Sequence, residues 1–198
     1  MMVYSLAYDS QITETEYLQG ELISDIKHEY IDGEVYAMAE ASRNHLRLVG
    51  NLHTALNRHL NNSPCEPFVN YLKVKANRNF FYPDVMVICD DPQGNDYYTE
   101  QPVLIVEVLS KATRRLDKTV KFNAYKALPS LQEYVLIEQD YVEIQVFRRV
   151  ENWTPAHYFL GDDMRLASVD LTIPVSEIYH RVNNEDMQDY LQQLQQAS

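Results

Sequence analysis

The chain has 198 residues, 45% of them hydrophobic and 23% charged, and these proportions predict one soluble globular domain with a full core. With only 5 glycines, and without the GxxxxGK[ST] and GxGxxG patterns, glycine-rich phosphate loops are excluded. The net charge of -12, taken alone, argues against nucleic-acid binding, because phosphate backbones are polyanions.

Cysteine usage and hydropathy predict a cytoplasmic protein. Cys65 and Cys89 lie 24 residues apart without CxxC spacing, so we expect neither zinc ligation nor a disulfide framework, as in a reducing cytosol. Residues 1–5 show no basic region followed by an apolar stretch, so we expect no signal peptide. No apolar run approaches the roughly 20 residues of a membrane helix, so we expect no membrane partner.

The N-terminal part of the chain predicts a short helix, a hairpin and a long helix. A polar helix is expected at about 14–18, and 29–38 reads as two strands joined by an Asp-Gly turn. Ser42 is placed to cap an amphipathic helix over about 43–61. Its apolar residues recur at three- and four-residue spacing: Leu46, Val49, Leu52, Leu56 and Leu60.

The rest of the chain alternates strands with one further helix. Strand-like runs are 68–74, 84–89, 103–109, 134–137, 142–148 and 156–160, and 90–100 reads as a polar loop. A helix is expected over about 114–128, with Leu116, Val120, Ala124 and Leu128 as its apolar stripe. The Gln-rich tail over 185–198 is expected to be a surface helix or to fray. This order predicts an α/β (α+β) fold with a central mixed sheet flanked by helices.

Glu107 interrupts the apolar run over 103–109, which reads as a strand covered on both faces. A buried carboxylate costs several kcal/mol unless something pairs with it. Metal binding, catalysis or a buried ion pair with Arg114 or Lys121 would each supply that partner. We favour a functional role for Glu107.

Asp84 follows Pro83 and opens the apolar strand over 84–89, which is a weak signal by itself. If this strand neighbours the strand over 103–109, Asp84 and Glu107 can share one hard cation. Mg²⁺ prefers oxygen ligands and keeps several waters, so two carboxylates are a sufficient protein contribution. The backbone carbonyl of Val108 is a candidate third oxygen, and Mn²⁺ is expected to substitute for Mg²⁺.

Lys121 lies on the predicted helix after Glu107, in one row with Asp117 and Tyr125 at four-residue spacing. This row borders the apolar stripe, so it can face the sheet edge where Glu107 sits. A positioned ammonium there would orient water or stabilise charge on phosphorus. The plainer alternative is a surface ion pair with Asp117.

Net positive charge occurs in two windows, 41–83 and 108–126, each with six of the 17 Lys and Arg residues and one acid. These windows would steer a phosphate backbone, although solvated helix faces explain them equally well. Tyr71, Tyr97 and Tyr98 are candidates to stack on bases, with packing or surface roles as the favoured alternative.

The motifs together resemble the PD-(D/E)XK nuclease superfamily and, more closely, the Uma-type restriction endonuclease family. The resemblance covers roughly residues 10–180. It rests on the hairpin Glu29-Tyr30-Ile31-Asp32-Gly33-Glu34-Val35-Tyr36-Ala37-Met38, His45, Tyr82-Pro83-Asp84-Val85, Val106-Glu107-Val108-Leu109-Ser110, Thr113, Asp117, Lys121, Tyr125 and Glu133-Tyr134.

This resemblance implies a restriction-endonuclease-like core formed by one domain, with Asp84 and Glu107 as metal ligands. Leu109 stands where the superfamily has its lysine, so Lys121 takes that role from the following helix, with Lys118 as the alternative. Glu29 matches an additional acid of the superfamily that touches the metal through water. His45 matches a family position without an assigned role.

We therefore expect a Mg²⁺-dependent DNA endonuclease that acts by in-line attack of water on a phosphodiester. The resemblance also implies a homodimer that presents two sites to a duplex. One alternative is a catalytically silent binding or assembly protein of a mobile-element or defence system, which the overall acidity favours. Another is a metal-dependent hydrolase of a different phosphoester.

Overall fold

The computed structural model describes residues 11–92 and 94–196, so the prediction for residues 1–5 lies outside it. Its helices include a π-helical segment between two short α-helices. They are α1 (Glu14–Glu21), α2 (Arg43–Leu60), α3 (Arg114–Leu116), the π segment (Asp117–Lys121), α4 (Phe122–Lys126), α5 (Val175–Ile178) and α6 (Glu185–Gln196).

The described strands form three sheets. The strands are β1 (His28–Ile31), β2 (Glu34–Ala37), β3 (Cys65–Val69), β4 (Lys73–Ala76), β5 (Asn79–Phe81), β6 (Val85–Cys89), β7 (Tyr98–Thr99), β8 (Pro102–Leu109), β9 (Glu133–Glu138), β10 (Ile144–Arg148), β11 (Pro155–Tyr158), β12 (Asp163–Leu166) and β13 (Leu171–Pro174). Their orders are β11-β10-β9-β8-β6-β3, β2-β1-β5-β4-β7 and β12-β13.

The six-stranded sheet is mixed, since β8 and β9 pair in parallel while its other neighbouring strands pair antiparallel. Strand β6 lies directly beside β8. The α/β class with a mixed sheet flanked by helices is confirmed, as is the adjacency of the two strands on which the predicted site depends.

Strand β8 is covered on both faces, which explains its nearly continuous apolar sequence. Leu104, Val106 and Val108 belong to a core with the buried side of α2. Ile105 and Leu109 belong to a second core with α4. Because side chains alternate along a strand, Glu107 points toward the α4 side.

Helix α2 begins as predicted, because the Ser42 side chain accepts a hydrogen bond from the backbone N–H of His45. Leu52, Leu56 and other apolar residues of its inner side are buried. Leu46 was expected in the same stripe but is 53% exposed, whereas Leu48 is fully buried. Four of the five predicted apolar residues are therefore buried, and Leu48 completes the buried stripe where Leu46 was expected.

The predicted strand over 68–74 is wrong, because it spans two strands of different sheets. Asn70 has a left-handed backbone with φ 51°, and the Tyr71 N–H donates to the Val69 carbonyl at 2.6 Å. This turn ends β3 and starts the run that leads into β4. Four further strands were not predicted: β5, β7 within the predicted polar loop, β12 and β13.

Cys65 and Cys89 form a disulfide, which contradicts the expectation of unbridged cysteines. They are directly opposite partners in the β3–β6 ladder, with their Cα atoms 4.0 Å apart. Their separation of 24 residues concealed this pairing, because proximity here comes from strand register. Cysteine usage therefore does not support a reducing compartment, and the cytoplasmic location stays a prediction.

No helix within residues 11–92 and 94–196 combines the length and apolar character needed to cross a membrane. The tail predicted as a surface helix or a frayed end contains α6, whose Met187 packs into the α2-side core.

We expect Leu52→Ala to lower the free energy of unfolding by about 2–5 kcal/mol, because it leaves a cavity under α2. Leu46→Ala is the matched control on the same helix and should change stability by about 0.5 kcal/mol or less. Urea denaturation measures both variants. Equal losses would contradict the observed orientation of α2.

Candidate functional site

The β6–β8 register brings Asp84 and Glu107 to the same edge of the sheet. Val85 pairs with Val106, so the next position along the antiparallel ladder sets Asp84 opposite Glu107. Directly opposite residues point to one face of a sheet. The structure therefore brings together the two carboxylates that the sequence predicted as partners, although metal ligation by them stays a prediction.

Glu107 is 3% exposed, so its carboxylate depends on partners within the protein. Its two hydrogen-bond partners, Lys121 and Tyr125, come from the helical segment that covers this face of the sheet. Lys121 Nζ donates to Glu107 Oε1 at 3.1 Å, and the Tyr125 hydroxyl donates to the same oxygen at 3.0 Å. The predicted row of Lys121 and Tyr125 thus faces Glu107.

Lys121 is the centre of the site, with its ammonium nitrogen close to three carboxylates. The distances from Nζ are 2.8 Å to Glu29 Oε1, 3.1 Å to Glu107 Oε1 and 3.3 Å to Asp117 Oδ1. Lys121 is itself 4% exposed. We refer to Lys121, Glu29, Glu107 and Asp117 as the Lys121 cluster.

The π-helical segment places two members of this cluster. A regular helix was expected over 114–128, but residues Asp117–Lys121 adopt the wider π-helical turn. Asp117 and Lys121 are both buried, whereas Val120, predicted for the apolar stripe, is 39% exposed. The wider turn therefore places Asp117 and Lys121 against the sheet. The hydrophobic pattern had predicted Val120 in that position.

Glu29 comes from the second sheet, through the hairpin predicted from the sequence. Strand β1 pairs with β5, and the backbone N–H of Tyr82, just after β5, donates to Glu29 Oε1 at 3.2 Å. Glu29 is 6% exposed. Through Lys121 it joins the five-stranded sheet to the helical segment and to the central sheet.

Asp84 is held separately from the Lys121 cluster. His45 Nε2 lies 2.9 Å from its Oδ1, and the Val108 N–H donates to its Oδ2 at 2.7 Å. The structure thus gives His45 a contact that the sequence did not predict: from the first turn of α2 it orients the Asp84 carboxylate. Val108 contributes its amide here, and ligation through its carbonyl stays a prediction.

Burial and crowding of like charge set the pKa values of the cluster. Burial raises the pKa of Glu107 well above its usual value, and nearby Asp117, Asp84 and Glu29 add to this while Lys121 opposes it. Burial also raises the pKa of Asp117. Burial alone would lower the pKa of Lys121, but the three carboxylates outweigh it and raise that pKa well above its ordinary value.

The donor set fits a hard divalent cation. Three carboxylates surround the single Lys121 ammonium, Asp84 adds a fourth beside Glu107, and the buried Asp117 Oδ1 has the ion pair with Lys121 but no hydrogen-bond partner. Within the part of the chain that the structure describes, no three His, Cys, Asp or Glu side chains form a ready-made metal centre. Mg²⁺ accepts two carboxylates when waters complete its shell, so metal binding by Asp84 and Glu107 stays a prediction.

Other predicted candidates lie elsewhere. Lys118 Nζ donates to Glu138 Oε1 at 3.3 Å, and Arg114 pairs with the same carboxylate, so neither contacts Glu107. Lys121, not Arg114, is the ion-pair partner of Glu107. Tyr98 packs edge-on against Phe80 with ring centroids 5.4 Å apart, in agreement with a packing role.

The mixed sheet and its helices define an α/β protein of the restriction-endonuclease-like class. A crystal structure titled as a putative nuclease belonging to DUF820 from Anabaena variabilis ATCC 29413 has this fold, with a TM-score of 0.72. The match covers 85% of this chain and 97% of that chain at 17% sequence identity, so it concerns the fold alone.

A family model described as "Uma2: Putative restriction endonuclease" matches residues 9–176, and the chain belongs to this family. Two proteins of Synechocystis sp. (strain ATCC 27184 / PCC 6803 / Kazusa) are similar along most of their length. The uncharacterized protein slr1290 is 36% identical over 175 residues, which are 85% of this chain and 92% of that protein. The uncharacterized protein sll1609 is 38% identical over 144 residues, which are 70% and 81% of the two chains.

We expect Lys121→Met to lower the free energy of unfolding by about 3–5 kcal/mol at neutral pH, because it leaves buried carboxylates without their cation. The loss should shrink in acid, since Glu107, with its raised pKa, takes up a proton and the repulsion falls. Urea denaturation across pH measures this. Exposed Lys111→Met is the control, and equal losses in both variants would refute the cluster's contribution.

Proposed function

We propose that the protein is a Mg²⁺-dependent endonuclease that hydrolyses DNA phosphodiester bonds, with Mn²⁺ able to replace Mg²⁺. Membership of the Uma2 family supports a nuclease. The observation that carries the more specific proposal is the buried edge where Asp84 and Glu107 lie on adjacent strands and Lys121 contacts Glu107. Water attacks phosphorus in line, and the opposite P–O bond breaks.

Asp84 and Glu107 are the side chains that would hold the metal, with the Val108 carbonyl as a further oxygen. When bound, the ion supplies Lewis-acid polarisation of a phosphoryl oxygen and lowers the pKa of the attacking water. His45 and the Val108 amide fix the orientation of Asp84, each by one contact to a different carboxylate oxygen. Such outer contacts typically tune affinity at a metal site.

Lys121 acts in this proposal as a fixed positive charge. Its pKa lies well above the ordinary value, so it keeps its proton at neutral pH and is a poor base toward water. Stabilisation of charge that develops on the phosphoryl oxygens is the role that suits a protonated ammonium. Glu29 supports this role by holding Lys121 at 2.8 Å.

Nicking of supercoiled plasmid tests the activity. Wild-type protein should nick DNA in Mg²⁺ or Mn²⁺ and not in EDTA, and Asp84→Asn or Glu107→Gln should each slow nicking by about 100-fold or more. Asp140→Asn removes an exposed acid and serves as the control. Small phosphodiesters assayed in parallel identify a different phosphoester substrate. Full cleavage by Asp84→Asn would defeat the proposal.

Binding of Mn²⁺ tests the metal site without catalysis. Titration followed by electron paramagnetic resonance should show one bound ion in the wild type, and Asp84→Asn should weaken it by about 10- to 100-fold. Asp140→Asn should bind Mn²⁺ as the wild type does. Unchanged affinity in Asp84→Asn would place the ion elsewhere.

A catalytically silent binding protein is the second candidate, favoured by the net charge of -12 and by the complete ion pairing of Lys121. DNA or protein binding that ignores EDTA and survives Lys121→Ala, without any cleavage, would establish it.

A homodimer, one domain over 1–198 and a cytoplasmic location remain part of the proposal. Light scattering of the purified chain decides the oligomeric state.

A further inference from the structure

Two lysines outside the Lys121 cluster lie close to one aromatic ring. Lys27 Nζ is 5.2 Å from the ring centroid of Tyr82, and Lys73 Nζ is 5.1 Å from it. Lys27 immediately precedes β1, and Lys73 opens β4. We refer to Lys27 and Lys73 as the lysine pair.

The lysine pair is not neutralised by direct contacts with acids. Lys27 Nζ donates to the Asn70 carbonyl at 2.6 Å, and Lys73 Nζ donates to the Tyr82 hydroxyl at 3.3 Å. Among the acids of the described ranges, none lies within 4.0 Å of either ammonium nitrogen. An ammonium has three donors, so each lysine keeps donors for another partner.

Glu21, the acid whose charge raises the pKa of both lysines, already has hydrogen-bond partners. Its Oε1 accepts a hydrogen bond from the Tyr82 hydroxyl at 3.0 Å and one from the His28 backbone N–H at 2.8 Å. Its Oε2 lies 3.1 Å from His28 Nδ1. The charge of Glu21 therefore raises the pKa of both lysines from a distance, without a direct contact to either ammonium group.

The electrostatics of the lysine pair are opposite to those of Lys121. Burial lowers the pKa of Lys73, which is 4% exposed. Burial also lowers the pKa of Lys27 to about 8; the charge of Glu21 opposes this shift in both lysines, and the charge of Lys73 adds to it in Lys27. Two ammonium groups beside one ring, neither in direct contact with a carboxylate, are a place where a bound anion would gain energy.

The position of the lysine pair connects it to the proposed active site. Tyr82, whose ring both lysines approach, donates its backbone N–H to Glu29 Oε1 and lies two residues before Asp84. On the other side, Lys27 lies over the ring of Tyr71, which is 77% exposed. The anion position thus lies between the carboxylate edge and open surface.

The surface beyond Tyr71 limits how many phosphates this region can hold. Tyr71 borders a cavity that is also lined by Glu66, Asp90, Asp91 and Asp96. Acidic side chains repel phosphate groups, so the favourable region ends at the lysine pair.

We propose that Lys27 and Lys73 form an anion subsite that holds one phosphate of a nucleic-acid strand, next to the phosphodiester presented to Asp84 and Glu107. This inference rests on the proposed nuclease function. The alternative is that the lysines only buttress the Tyr82 ring through cation–π contacts. A phosphate contact by these lysines would contribute to the salt dependence of DNA binding, whereas a purely structural role would not.

Salt dependence of DNA binding, measured by fluorescence anisotropy in Ca²⁺ without turnover, tests the subsite. Loss of one phosphate contact should reduce the slope of log K against log salt by about 0.9 for a duplex, and weaken binding by a similar factor for all sequences. Lys27→Gln is the main variant because Lys27 is partly exposed. Arg165→Gln removes one exposed positive charge outside the two basic windows and is the matched control.

Lys73→Met should give the same change in slope, with thermal unfolding measured alongside because this lysine is buried. A slope for Lys27→Gln equal to that of Arg165→Gln would overturn the subsite. If wild-type protein still nicks DNA in that case, the nuclease proposal stands without the subsite. If wild-type protein binds DNA with a Lys27-dependent slope but never nicks it, the subsite stands and the nuclease proposal fails.

Discussion

The buried ammonium of Lys121 holds the architecture of the candidate site together. Its three carboxylate partners come from three places: Glu29 from β1 in the second sheet, Glu107 from β8 in the central sheet, and Asp117 from its own π-helical segment. Removing one partner from a buried ion cluster is far more costly than losing a surface pair. The position of β1 against the central sheet, and of the helical segment above it, therefore depends on one side chain at the junction of all three.

The balance of acidic and basic side chains changes over a short distance near this cluster. Carboxylates outnumber cations at the edge formed by Asp84 and Glu107, whereas the reverse holds around Lys27 and Lys73. Tyr82 stands between the two regions, with its amide on Glu29 and its hydroxyl on Glu21. In the proposed function, a divalent cation would bind at this edge and a phosphate next to it, an arrangement expected for phosphodiester chemistry. The net charge of -12 does not reveal it, because the lysines concerned are few and locally placed.

The departures from expectation arise where three-dimensional proximity overrides local pattern. Cys65 and Cys89 are strand partners, although their spacing in the chain resembles no bridging motif. Val120 was assigned to an apolar stripe by its period, yet the π-helical turn exposes it and buries Lys121. The run over 68–74 has the composition of one strand, but the left-handed Asn70 divides it between two sheets. In each case the controlling feature is a register, a helical width or a backbone conformation that the side-chain pattern does not encode.

The sequence by itself determined the mixed α/β class, the long α2 helix with its Ser42 cap, and the anomaly of Glu107, because an acid inside an apolar strand is visible without coordinates. It also indicated Asp84 and Lys121, the latter mainly through family resemblance. Only the tertiary structure decided that Lys121 pairs with three acids at once and that His45 contacts Asp84. It also decided that Lys27 and Lys73 both lie near the ring of Tyr82. Most of these contacts join residues far apart in the chain, and their free energies depend on burial and on distances of a few ångströms, which arise only when the sheets pack.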